Sequence, residues 1–199
     1  MRRGGRITFN FSITIPDRLL WPFVVLALIY RRARYGYAFR RIPLTQGKYA
    51  IVDPEDYERL NKYKWHAKKF QNTYYAARSV WIGPKKRMAI QMHREVLNPP
   101  DHLFVDHINR KGFDNRKANL RQATCAQNVV NRAIIKRKNS PSKYKGVCWH
   151  RHIKKWQAQI CYGGKHESIG YFDDEIEAAK AYDNSAKKHH GEFAVLNFP

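Results

Sequence analysis

Asp106 and His107 stand side by side in Val105-Asp106-His107-Ile108-Asn109, and carboxamides return at Asn115, Asn119 and Asn128. A carboxylate, an imidazole and an amide oxygen are enough to set one divalent cation and one general base against a phosphodiester. Alternation along a strand sends the Asp106 and His107 side chains in opposite directions. One can then bind metal while its neighbour faces an attacking water. Asn128, one turn into a helix opened by Thr124, returns to supply a second ligand oxygen. Two oxygen ligands, the substrate phosphate and water are how Mg²⁺ is usually held. His107 would deprotonate the water, because imidazole titrates near neutral pH.

The remainder of the chain says whose phosphodiester this is. Its 199 residues carry 38 Lys and Arg against 16 Asp and Glu, a formal net charge of +22. A polyanion is the natural partner, and double-stranded DNA is favoured over anionic lipid because the charge is spread along the length and interleaved with aromatics. Cys125, Cys148 and Cys161 form no CxxC pair and no disulfide framework, which suits a reducing interior and leaves no cysteine-rich zinc site. The expected location is cytoplasmic and nucleoid-associated, in a prokaryotic or phage context.

The elements that must position these residues fall into stretches. Residues 1–40 are a basic, apolar arm whose run Leu19 to Tyr30 contains Pro22 and precedes Arg31, Arg32 and Arg34. Twelve residues are short of the roughly 20 a membrane-spanning helix needs, and the pattern is not that of a secretory signal. The run reads as a buried or partner-packed helix, with a membrane-surface anchor as the alternative. From residue 41 the texture changes. Lys48 to Val52 reads as a strand, and Asp53 caps a helical turn through Leu60. Aromatic and polar residues then alternate around Trp65, Tyr74 and Ile90, with turn signals at Gln71-Asn72 and Gly83-Pro84, which predicts antiparallel hairpins. A helical turn at His93 to Leu97, strands at Leu103 to Ile108 and Leu120 to Ala123, and a helix from Thr124 to about Ile135 complete residues 41–135. Residues 136–142 are a basic linker. In residues 143–199, strands at Tyr144 to Trp149, Trp156 to Tyr162 and His166 to Phe172 precede a helix opened by Asp174. On that helix Ile176, Ala179, Tyr182 and Ala186 share the face that lies on the sheet. The fold class is α+β.

Met92-His93-Arg94, the Val105 to Asn109 stretch, Asp114-Asn115-Arg116, Asn119-Leu120-Arg121 and Thr124 to Asn128 resemble the HNH homing endonucleases, over roughly residues 42 to 135. The resemblance implies a ββα-metal fold in which Asp106 and Asn128 match the metal ligands and His107 the general base. Asn119 matches the middle Asn that pins the loop and orients the base. Asn128 stands where many members carry His, which favours one Mg²⁺ or Mn²⁺ per active site over zinc. His93 is a further catalytic candidate at the phosphate, or a histidine satisfied in the core beneath the site.

Tyr144 to Val147, Trp156 to Ile160, Ile169 to Phe172, Glu177 to Asp183 and Val195 to Pro199 resemble a second family, the Apetala/ethylene-response-factor DNA-binding domain. That family lays a three-stranded sheet in the major groove. Alternation turns Ala158 and Ile160 to the helix and Gln157, Gln159 and Cys161 outward. The DNA-binding candidates are Lys145, Trp149, His150, Arg151, Lys155, Gln157, Gln159 and His166. Trp149 is equally readable as core, and Trp156, Tyr171 and Phe172 read as core. Lys145, Cys148, His150 and Ser168 depart from the plant pattern, so its base preference does not transfer. The leading expectation is a site-specific, homing-type DNA endonuclease, monomeric or homodimeric, needing no small-molecule cofactor. The alternatives are a catalytically inactive sequence-specific DNA-binding regulator and, on Leu19 to Tyr30 alone, a membrane-surface protein.

Overall fold

The computed structural model describes residues 17–70, 73–132 and 141–199, with residues 17–19 described as backbone only. Met1–Arg40 and Arg41–Pro199 form two compact units.

In the first unit, α1 (Asp17–Tyr35) carries Pro22 within its first turns and arginines in its last, where cations favour the negative end of the helix dipole. Trp21, Phe23, Leu26, Ile29 and Tyr30 are exposed, so the burial expected for this run is not what the structure supplies. Among the described residues no helix is long and apolar enough to cross a membrane.

The second unit begins with the paired strands β1 (Arg40–Pro43) and β2 (Tyr49–Val52), followed by α2 (Pro54–Asn61). Pro54 opens α2 with a φ already suited to a helix. The Asp53 carboxylate does not cap this helix; it accepts the Lys117 N–H at 2.7 Å. The expected hairpins appear as one antiparallel meander, β3 (His66–Phe70), β4 (Thr73–Gly83) and β5 (Lys86–Gln91). The predicted turn at Gln71-Asn72 lies outside the described residues. Next come α3 (Met92–Leu97), β6 (Phe104–His107), β7 (Leu120–Ala123) and α4 (Cys125–Val130). Ile42, Val52, Leu60, Trp65, Met92, Val105 and Leu120 form one buried cluster. Burying a Val or Leu side chain contributes about 1.5–3 kcal/mol. Val105 and Leu120 thus anchor the β6–β7 pair, with Asp106 and His107 at its end.

Thr124 and Gln127 form a reciprocal capping box, which starts α4 where the sequence places it. The helix ends earlier than expected, at Val130. Asn131 turns its carboxamide back to the end of β6, an outlet for Asn that competes with helix continuation. Residues 133–140, which hold most of the predicted linker, lie outside the described residues.

The sheet β10-β9-β8, made of β8 (Val147–His150), β9 (Lys155–Tyr162) and β10 (Lys165–Phe172), is covered on one face by α5 (Glu175–His190). Asp174 caps α5 by accepting the Glu177 N–H. Ala178, Ala179, Tyr182 and Ala186 are buried, whereas Ile176 is exposed, contrary to expectation. The packed stripe runs through 178, 182 and 186, and position 176 lies about 200° round the helix from 178. Gly146 has φ +73 and lies against the Tyr182 ring. The buried Asp183 carboxylate accepts N–H groups from Asn197 and Phe198, and the Asn197 side chain both accepts from and donates to the Lys145 backbone.

Candidate active site and nucleic-acid interface

β6 and β7 pair with Asp106 opposite Arg121 and His107 opposite Leu120. The buried Asp106 carboxylate accepts Arg121 Nε at 2.9 Å and takes Asn131 Nδ2 on both oxygens, at 2.7 and 2.9 Å. The same Asn131 nitrogen donates to the His107 carbonyl at 2.9 Å. On the other side, the His107 ring lies 5.0 Å from His93, perpendicular to it, and 5.6 Å from Tyr75. Buried polar atoms here are left without partners: His107 Nε2, His93 Nδ1 and both side-chain polar atoms of Asn115. The Asn115 amide sits close enough to favour a charged His107, yet completes no hydrogen bond with it. An unmade buried hydrogen bond costs about 1–3 kcal/mol, so several in one spot mark a place built to receive something else.

Burial pushes the His107 imidazole down to about 4, against the opposing influence of Asn115, Asp106 and Asp114. Burial, reinforced by His107 and Arg94, pushes His93 down to about 3. Both rings are therefore neutral near pH 7, and a neutral imidazole can accept a proton. The unfolded chain takes up those protons near 6.5 while the folded one refuses them. The stability gained by keeping the rings neutral is complete above about 6.5 and declines as pH falls toward 4, by up to about 1.4 kcal/mol per pH unit per ring. Unfolding temperatures measured between pH 7 and 4.5 should fall accordingly, and His93→Phe should flatten the slope. An unaltered slope in that variant would exclude His93 as a source.

The loop from β6 to β7 is tied down from within. The Asn119 carbonyl accepts the Ile108 N–H at 2.9 Å, its side-chain oxygen accepts the Asn109 N–H at 3.0 Å, and its Nδ2 donates to the Asp114 carbonyl at 2.8 Å. Burial would raise the Asp114 carboxyl, but paired N–H donors of Arg116 and one from Asn109 outweigh it and hold the group below its usual range. The loop end is fixed to β2 where Asn115 N–H donates to the Ile51 carbonyl at 2.8 Å. Gly112 allows the loop to lie on Tyr75: a Cβ there would come within 2.7 Å of the ring.

In the C-terminal sheet, register puts Cys148, Gln157 and Tyr171 abreast, Gln159 beside Ser168 and Cys161 beside His166. These residues, with His150 and Lys155, line the face turned away from α5. Gln157 Nε2 donates to Ser168 Oγ at 3.0 Å, and Lys155 pairs with Asp173 at 3.1 Å. Arg151 is exposed in the turn after β8. Trp149 shares the face of Trp156, meeting it edge-on at 5.1 Å, and remains partly exposed. Tyr171 is exposed against His150 rather than in the core. A bulge between Ser168 and Gly170 reverses the alternation of β10, which turns Tyr171 outward and Phe172 inward. Lys145 is not on this face: its ammonium donates to the Val130 carbonyl at 2.7 Å, and burial, then Arg110, bring it down to about 8.

No family model matches the chain. Over 160 residues it is 29% identical to "Uncharacterized HNH endonuclease L560" of Acanthamoeba polyphaga mimivirus, covering 76% of each chain. It is 42% identical over 59 residues to "Ethylene-responsive transcription factor WRI1" of Arabidopsis thaliana, a stretch that is 29% of this chain and 14% of that factor. "AP2-like ethylene-responsive transcription factor At1g16060" of the same plant matches at 42% over 59 residues, 17% of its length. The chain is homologous to an HNH endonuclease and to AP2/ERF-type DNA-binding domains.

Of the candidates for catalysis and metal binding, the structure brings together Asp106, His107 and His93, with Asn119 in the adjoining loop. Asn128 is half-buried one turn into α4, and it is Asn131, not Asn128, whose amide meets Asp106. Among the described residues no three His, Cys, Asp or Glu side chains gather as a ready-made metal cluster. Arg121, Asn131, Tyr75 and Gly112 join the site without a role expected from their sequence. Pairing the two strands puts Arg121 opposite Asp106, and Asn131 lies one helical turn beyond Asn128; both signals were available. Tyr75 has none, because only tertiary packing brings β4 to His107. Of the residues proposed for the AP2/ERF-type face, His150, Lys155, Gln157, Gln159 and His166 lie on it and Arg151 borders it, whereas Lys145 and Trp149 do not.

Proposed function

We propose that the chain is a site-specific, homing-type DNA endonuclease in which residues 41–135 cleave and residues 143–199, joined by 136–142, locate the target. The observation that supports it most is the buried His107 with an unpartnered Nε2 beside the fixed Asp106 carboxylate. His107 takes the proton of the attacking water at Nε2. His93 lies behind it and, with Tyr75, holds the ring in place. Asn119 keeps the loop closed over the strand ends.

The donor types at this place suit a divalent ion: a carboxylate and amide oxygens are hard ligands, and buried side-chain atoms of His107 and Asn115 lack partners. Asp106 and Asn128 would hold Mg²⁺ or Mn²⁺, whose charge would stabilise the leaving oxygen. The β8–β10 face away from α5 reads the groove, through His150, Lys155, Gln157, Gln159 and His166 in the sheet and Arg151 at its border. One centre per chain nicks one strand, and a double-strand cut takes two copies.

Supercoiled plasmid carrying the target, incubated with Mg²⁺ or Mn²⁺, should convert to the nicked form, and EDTA should stop it. The affinity for DNA should fall linearly on a log–log plot against salt, with a slope of about −0.9 per phosphate neutralised. A chain that binds DNA steeply with salt yet never nicks is the second reading, a DNA-binding regulator. One observation favours that reading: both Asp106 oxygens already carry donors.

A further inference from the structure

The two groups that hold Asp106 are themselves held from the C-terminal module. Arg121 spends Nε on Asp106 and directs Nη1 to the Glu192 carbonyl at 2.6 Å. Its guanidinium carbon lies 3.8 Å from the centre of the Phe193 ring, and Phe193 is buried. Glu192 and Phe193 belong to the 3₁₀ turn Gly191–Phe193 that follows α5. Asn131, the other partner of Asp106, follows α4, whose last carbonyl, Val130, takes the Lys145 ammonium at 2.7 Å. Lys145 is in turn tied through its backbone to Asn197. Two independent struts therefore run from the DNA-binding module to the same carboxylate.

We propose that Arg121 is a positioning residue through which the C-terminal module completes the nuclease centre, so that Asp106 is correctly set only when the Gly191–Phe193 turn is docked on β7. The inference rests on the nuclease reading above. A planar guanidinium suits this task because its N–H groups point along fixed directions and its face can stack on a ring. One side chain can thus fix a carboxylate and register a neighbouring module together. Groups that orient a ligand of a metal or a reacting centre typically change affinity or rate by about 10–100-fold when removed.

The test uses the full chain as wild type, Arg121→Met, Arg121→Lys and Phe193→Leu. Metal-free DNA affinity is measured by anisotropy, and single-turnover nicking at saturating enzyme is measured across a Mg²⁺ titration. Arg121→Met and Phe193→Leu should bind DNA like wild type but nick about 10–100-fold more slowly, with the Mg²⁺ midpoint moved upward. Arg121→Lys should recover part of the rate, since it keeps a donor to Asp106 but cannot also reach Glu192 and stack. A thermal-unfolding cycle of Arg121→Met and Phe193→Leu should be non-additive, a readout independent of cleavage. Wild-type nicking rates in a folded Phe193→Leu variant overturn the proposal. If that variant does not fold, wild-type rates in Arg121→Met do so instead. Faster nicking in Arg121→Met also overturns it, because Arg121 would then be shielding Asp106 from the ion. If wild type itself never nicks, the nuclease reading falls and this inference with it; if wild type nicks and the variants match it, only this inference falls.

Discussion

His107→Ala should abolish strand cleavage while DNA affinity stays near the wild-type value. The ring is buried, neutral near pH 7 and unpartnered at Nε2, which is the state a base must be in before it takes a proton. Removing a positioned general base costs about 10²–10⁴-fold in rate. The β8–β10 face proposed to contact DNA lies on another sheet and is untouched by the change. Alanine also leaves a hole beside Tyr75 and His93, so His107→Phe, which fills it, serves as the companion variant. Both should be equally inactive in single-turnover nicking at saturating enzyme, with circular dichroism verifying the fold. Cleavage by His107→Phe within tenfold of wild type would remove His107 from the role of base.

Gly146→Ala should unfold the C-terminal module and with it most DNA binding. The backbone at Gly146 has φ +73, and an added Cβ would press into the Tyr182 ring and come within 2.7 Å of the Gln159 carbonyl. Those are not flexible neighbours. Tyr182 is held on the buried face of α5 against the sheet, and Gln159 is bonded through its own N–H to the Gly146 carbonyl at 2.8 Å. Overpacking costs about 1–3 kcal/mol and a left-handed backbone at a non-glycine residue about 1–2 more. That sum is a large share of what holds a module of this size together. Chemical unfolding followed by tryptophan fluorescence, together with anisotropy on DNA, checks it. By contrast, Gly163→Ala should be far milder, because a Cβ there meets open space and only the φ strain remains.

Much of this arrangement was legible in the chain, and the exceptions share a cause. Thr124 and Gln127 announce α4 because a capping box is a local device. Ala158 and Ile160 against Gln157 and Gln159 announce β9 because alternation is local too. Plain alternation turns Tyr171 inward, but one extra residue at the bulge reverses parity, and nothing in Ser168-Ile169-Gly170 signals it locally. Ile176 was misplaced because several helical faces fit the same apolar residues until a sheet chooses one. Asp106 and His107 could be named from residue type and spacing, but not the partners of Asp106. Arg121 and Asn131 meet it only after two strands pair and a helix stops short. Lys145 stands among the DNA-binding candidates by its place in the second resemblance, but its ammonium is taken up by the end of α4.

Asn197 gives one last consequence. Its side chain grips the backbone of Lys145, so the first and last segments of the C-terminal module are stitched together across 52 positions of sequence by paired hydrogen bonds. A unit whose two ends meet at one spot can be spliced onto a host chain without stretching or reshaping it. Such a module is a portable cassette, which accounts physically for similar stretches of sequence lying in this chain and within much longer plant proteins.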